Sequence, residues 1–133
     1  MRAHRLNAVI ALTLGLFALT AASAQAFETK PYDEASFKSA QSAGKPILVD
    51  VFAPWCPTCK AQHQVLETLK DKPGFADITV YQVDFDNQKD AVRGFNAQRQ
   101  STLIAFKGDT ETARSVGATS TADIEELLQS TLQ

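Results

Sequence analysis

The 133-residue chain carries 13 Lys and Arg against 15 Asp and Glu, with two His and two Cys, and is 44% hydrophobic and 21% charged. That length and balance suit one ordinary globular domain and exclude a disordered or coiled-coil chain. A formal net charge of −2 leaves no basic footprint for nucleic acid. Two cysteines are too few for a disulfide-stapled mini-protein or a closed four-ligand zinc site.

Residues 1–26 contain no acid and begin with the basic Arg2, His4 and Arg5. An apolar stretch runs from Ala8 to Ala22, followed by the small-residue sites Ala22-Ser23-Ala24 and Ala24-Gln25-Ala26. This is the layout of a cleaved secretory signal peptide. The alternative is an uncleaved anchor, but the apolar core falls short of the roughly 20 residues that span a bilayer. The expectation is therefore export, a mature domain over residues 27–133, and no stable membrane insertion after cleavage. Arg2 and Arg5 leave with the leader, so 11 of the 13 basic residues face 15 acids, a net charge of −4. Exported compartments let disulfides persist, so a cysteine pair can cycle there.

In the mature chain, Tyr32–Ala43 reads as a helix with Phe37 and Ala40 on one face and Gly44 ending it. A short strand around Phe27–Thr29 precedes it. Ile47–Ala53 is a nearly continuous apolar run, interrupted by Asp50, with the pattern of a strand buried on both faces. Helical spacing follows from Pro57 to Asp71, with Val65, Leu66 and Leu69 inward and Pro73-Gly74 as the stop. Ile78–Phe85 is a second apolar strand and Gln88–Phe95 a short helix. Leu103–Phe106, the turn Lys107-Gly108-Asp109 and Thr112–Val116 form a hairpin. Ser120 and Asp123 stand at capping spacing before a last helix whose inward residues are Ile124, Leu127, Leu128 and Leu132. The predicted class is α/β, a central mixed sheet covered by helices on both faces.

The chemistry concentrates at Pro54-Trp55-Cys56-Pro57-Thr58-Cys59-Lys60. Pro57 biases Cys56 away from helical angles and suits the first helical position itself. Cys56 is thereby placed at a helix N-terminus, where free N–H groups and the helix dipole favour a thiolate. Cys59, one turn in, is near enough to resolve a mixed disulfide. A C-x-x-C pair also supplies half of many zinc sites. The one further candidate ligand is His63, four residues after Cys59, which reads as a solvated helix residue. Asp50 is an acid in an apolar strand and must be paired, hydrated or protonated. Six residues before Cys56, it is a candidate proton relay behind the cysteines; a strand-end acid reaching water is the alternative.

Ile47-Leu48-Val49-Asp50-Val51-Phe52-Ala53-Pro54-Trp55-Cys56-Pro57-Thr58-Cys59-Lys60 resembles the strand and active site of the thioredoxin family. The likeness continues through Ile78-Thr79-Val80, Phe106-Lys107-Gly108 and Gly117-Ala118, and is greatest to small exported members from Gram-negative bacteria. The resemblance implies a thioredoxin fold with Cys56 attacking, Cys59 resolving, Asp50 as buried acid and Trp55 flanking. It also implies that Pro57, Thr58 and the loop Gln100-Ser101-Thr102 meet the substrate, with no resident cofactor.

Three departures from the family pattern stand out. The cis-proline facing the cysteines falls on Ser101, and a cis bond before a non-proline costs about 2.5–4 kcal/mol, so a trans, reshaped loop is expected. The lysine that accompanies the buried acid falls on Gln82, which leaves Asp50 harder to ionise. Thr58 brings no imidazolium beside Cys56, in contrast to the Pro-His dipeptide of the strong periplasmic oxidant, so the pair is expected to be less oxidising. The leading expectation is a monomeric periplasmic thiol–disulfide oxidoreductase, more reductase than oxidant, acting on protein disulfide clients and re-reduced by a membrane thiol donor. A client restricted to one pathway, such as cytochrome maturation, fits the same residues. The alternative class is a non-catalytic module holding copper or zinc on Cys56 and Cys59, with or without His63 and within one chain or across a dimer, motivated by the loss of a proline held to shield the cysteines from metal.

Overall fold

The computed structural model describes residues 25–133; the leader expected at residues 1–26 lies almost wholly outside them. Nine elements follow in chain order: β1 (Glu28–Pro31), α1 (Glu34–Ser42), β2 (Pro46–Phe52), α2 (Pro57–Leu69), β3 (Thr79–Asp84), α3 (Lys89–Gly94), β4 (Thr102–Lys107), β5 (Thr110–Val116) and α4 (Thr121–Ser130). The strands form one sheet in the order β1-β3-β2-β4-β5. β1 and β2 run parallel to β3, whereas β4 is antiparallel to both β2 and β5. The α/β class and the mixed sheet are therefore as expected. The parallel pair β2–β3 needs a crossover, and α2 supplies it.

β2 runs through the middle of the sheet, and its alternation decides what each side chain meets. Ile47, Val49 and Val51 point to one face, where they pack with Phe37 and Ala40 of α1 and Val92 of α3. Leu48 points to the other, against Leu66 and Leu69 of α2 and Ile124, Leu127 and Leu128 of α4. Asp50 and Phe52 share the parity of Leu48. The interrupting acid thus faces α2, at a level where the sheet is buried.

Local chemistry sets most boundaries. Asp33 caps α1 by accepting from Ser36 N at 2.8 Å, which moves the start from the expected Tyr32 to Glu34. Ser120 caps α4 from Asp123 N at 3.1 Å, as the spacing predicts. Gly44 and Gly108, both at positive φ, meet where the chain turns into β2 and out of β4, and Gly108 N donates to Lys45 O. A Cβ on Gly108 would lie 3.2 Å from Gln41 O, so the approach needs glycine.

Two expectations are corrected. α2 ends at Leu69, before Pro73-Gly74, because Lys72, Phe75 and Ile78 fold into successive turns back onto it. Leu132 is not inward: α4 stops at Ser130, and Leu132 is 39% exposed. Thr131 takes the buried place, its hydroxyl donating to Leu128 O at 2.6 Å.

Candidate active site

β2 ends at Phe52, and a turn closed by Cys56 N on Ala53 O (3.1 Å) delivers the chain into α2. Cys56 is the N-cap, extended at φ −85° and ψ 111°, with Pro57 as the first helical residue. Its Sγ accepts the N–H of Cys59 at 3.1 Å, a role usually taken by a capping oxygen. No acid stands in the first turn of α2 to oppose the positive end of the helix. Cys56 and Cys59 are joined as a disulfide with Cα atoms 5.3 Å apart. Both sulfurs are nearly enclosed, packed with Ala53 against Phe52 and Phe85. Trp55 flanks them at 61% exposure, its indole N–H donating to Asp86 Oδ2 at 2.7 Å. Pro57 is exposed and Thr58 half-buried on the opening turn.

Asp50 is fully buried. Its Oδ2 lies 2.7 Å from His63 Nε2 and accepts from Gln82 Nε2 at 3.3 Å, whereas Oδ1 has no hydrogen-bond partner. This corrects two expectations. His63 is not a solvated helix residue: one turn beyond Cys59, it projects toward the sheet, with Phe52's ring 5.6 Å from its own. Nor does Asp50 lack a basic partner because Gln82 occupies the lysine's place. Gln82 sits directly opposite Asp50 in the β2–β3 register, but the basic group reaches the carboxyl from α2 instead. The hydrogen bond to Asp50 holds the imidazole pKa above its ordinary 6.5; burial opposes this, and the charges of Asp50 and Glu67 reinforce it.

Register brings the loop before β4 to the same end of the sheet. Thr102 pairs with Val51 on one side and Val116 on the other. The Gln100–Ser101 peptide is trans, and Ser101 stands at φ 57°. Neither hydroxyl of this loop is free: Ser101 Oγ donates to Gln100 O and Thr102 Oγ1 to Arg99 O. The Ser101 carbonyl accepts from Gly117 N at 2.8 Å and from Gln62 Nε2 at 3.2 Å. No motif in the sequence singles out Gln62. A polar residue at a helical position otherwise calling for a hydrophobe (three before Val65, four before Leu66) was the available signal.

The thioredoxin family profile matches residues 28–130. The chain is 39% identical over 77 residues to a thioredoxin of Mycobacterium tuberculosis (strain H37Rv), covering 58% of this chain and 66%, just under two thirds, of that protein. It is 31% identical over 106 residues to a thioredoxin of Alicyclobacillus acidocaldarius, covering 79% of this chain and 99% of the relative. The crystal structure of Trxlp from Edwardsiella tarda EIB202 superposes with a TM-score of 0.74 at 42% identity, over 76% of this chain and 98% of that one. A strand leading into a cysteine-capped helix, a buried acid on that strand and a family match over residues 28–130 agree: the chain belongs to the thioredoxin family of thiol–disulfide oxidoreductases.

Proposed function

We propose that the chain is a periplasmic thiol–disulfide oxidoreductase that reduces disulfides of exported protein clients. The observation that carries this reading is the N-cap geometry of Cys56, whose Sγ receives a helix N–H at 3.1 Å. In the reduced protein that donor and the helix end favour the thiolate, the attacking form. The Cys56 thiolate attacks a client disulfide, the client S–S bond breaks, and a mixed disulfide forms as one client thiolate leaves. Cys59 then loses its proton and its thiolate attacks Cys56 Sγ. The Cys56–Cys59 disulfide closes and the second client thiolate departs, so the client gains two electrons and the pair loses two. Asp50 is the buried carboxylate available to receive the Cys59 proton.

The direction toward reduction is supported by Thr58, which adds no cation beside Cys56, so thiolate stabilisation rests on the helix end. A steady reductase needs electrons returned to it; a membrane thiol donor is the matching source. Export is supported by the basic start, apolar core and paired A-x-A sites of residues 1–26. The metal-holding alternative is not favoured. The imidazole that could add a third ligand is engaged by Asp50, and among the described residues no three metal-capable side chains cluster.

The test is turnover of insulin disulfides by the purified mature chain with a chemical reductant, beside Cys56→Ser. Reduction well above that variant is expected; equal rates would overturn the reading. Periplasmic fractionation and the N-terminus of the secreted form test export, and gel filtration tests the expected monomer.

A further inference from the structure

Burial of a lone carboxylate is costly, and a protein usually offsets it with a cation or with several donors. Asp50 has neither in the sheet. Its neighbour across β3 is the neutral Gln82, and Oδ1 is orphaned. The basic group arrives from α2, and it is a titratable one. His63 lies one helical turn beyond Cys59, so the two side chains share a face of α2. Cys59 is 1% exposed. The His63 side chain is 32% exposed, so the ring touches Asp50 at one edge and solvent at another. Cysteine and carboxylate are both closed off from solvent, and of the three groups the imidazole is the one that reaches it.

We propose that His63 is the proton port of the cysteine pair, a positioning residue that stabilises the Asp50 carboxylate and passes its proton to and from solvent. The inference rests on the reading that Cys56 and Cys59 exchange disulfides. When Cys59 attacks Cys56 Sγ, its proton goes to the Asp50 carboxylate. It then crosses the 2.7 Å hydrogen bond to His63 Nε2, and the ring releases a proton to water. Reduction of the pair runs the same path inward. The groups that act on the ring are Asp50 from β2 and Glu67 further along α2. β3 presents the neutral amide of Gln82, 3.5 Å away, with Asp84 two residues on and paired with Phe52, and Phe52 contributes an aromatic face. A fixed lysine in this role sets a constant field; a histidine makes the field depend on pH in the neutral range.

The experiment compares wild type, His63→Gln and His63→Lys. The rate at which Cys59 resolves a preformed Cys56 mixed disulfide is followed by stopped flow from pH 5 to 9. In parallel, the His63 ring and the Asp50 carboxyl are titrated by NMR in the reduced protein. His63→Gln keeps a hydrogen-bonding amide but loses the charge, so its acid limb is expected to move to higher pH and resolution to slow at the acid end of the range. His63→Lys restores that rate at low pH and abolishes the inflection belonging to the imidazole. Superimposable profiles for wild type and His63→Gln, or an Asp50 signal blind to the His63 titration, would overturn the proposal. The NMR arm decides the coupling even if the wild type fails to turn over insulin, so the two readings fail separately.

Discussion

Gln62, buried at the centre of α2, donates its side-chain amide to two carbonyl oxygens at once, Ser101 at 3.2 Å and Ala118 at 2.9 Å. One helix residue, three beyond Cys59, thus ties down both the loop before β4 and the segment before α4. The same residue leaves Oε1 buried without a partner. Gln62→Leu would give up two neutral hydrogen bonds worth about 1 kcal/mol each, and would relieve an orphaned acceptor costing about 1–3 kcal/mol. These nearly cancel. Urea unfolding is expected to place the variant within about 1 kcal/mol of wild type, while the amide of Gly117 exchanges faster because the loop has lost its brace. A large loss of stability would mean that the amide does more than brace.

Ser101 carries the second prediction. At φ 57° it occupies the left-handed region, which costs a non-glycine residue roughly 1–2 kcal/mol. Ser101→Gly recovers that cost and gives back about 0.5–1 kcal/mol in unfolded-chain entropy, so a change below about 1 kcal/mol is expected. Ser101→Pro cannot keep this φ. Its carbonyl must swing away from Gly117 N and Gln62 Nε2, with a loss of about 2–4 kcal/mol by urea unfolding. Combined with Gln62→Leu, the loss is expected to shrink by about 1 kcal/mol, because the amide left unpaired by the new loop is gone. Strict additivity in that double-mutant cycle would break the claimed link between the two residues.

These two residues also mark where the sequence stops being legible. The element order, the sheet class and the Cys56–Cys59 arrangement follow from local patterns: alternation in β2, Pro57 at the helix start, Ser120 at a cap. The parity of Asp50 was legible too, since it shares a face with Leu48. What lay across that face was not. His63 meets Asp50 through the angle at which α2 crosses β2, and no spacing within either element encodes that angle. Gln62 reaches Ser101 and Ala118 over separations of 39 and 56 residues, for the same reason. Leu132 keeps the helical spacing of Leu128, but α4 ends at Ser130, so the periodicity no longer sets where it points.

Trp55 and Asp86 form the exposed rim of the site, joined at 2.7 Å between strand-end loops 31 residues apart. An exposed bond of this kind contributes little to stability, so Asp86→Ala is expected to cost under about 1 kcal/mol. Its work is orientation of a large aromatic face beside Cys56. Freed of Asp86, the indole samples more rotamers, which lowers its steady-state fluorescence anisotropy and raises KM for insulin a few-fold with little change in kcat. Asp86→Asn, which keeps an acceptor oxygen, should behave as wild type. A fall in kcat with unchanged KM would assign Asp86 to the chemistry instead.

The Asp50–His63 pair makes stability depend on pH in a direction that can be fixed in advance. His63 is held above its ordinary 6.5 in the folded protein, first by the hydrogen bond to Asp50. A group whose folded pKa is raised binds its proton more tightly when folded. Its contribution is therefore complete below the unfolded value and fades as pH rises through the folded one. In Asp50→Asn the leading cause disappears and burial, which lowers the imidazole pKa, remains, opposed only by Glu67. Urea unfolding of the oxidised proteins, in which neither cysteine titrates, measures this directly between pH 6 and 9. The stability of wild type relative to Asp50→Asn is expected to decline across that interval, with other groups cancelling in the difference. A difference that is flat, or that grows with pH, would show that His63 draws no proton affinity from Asp50.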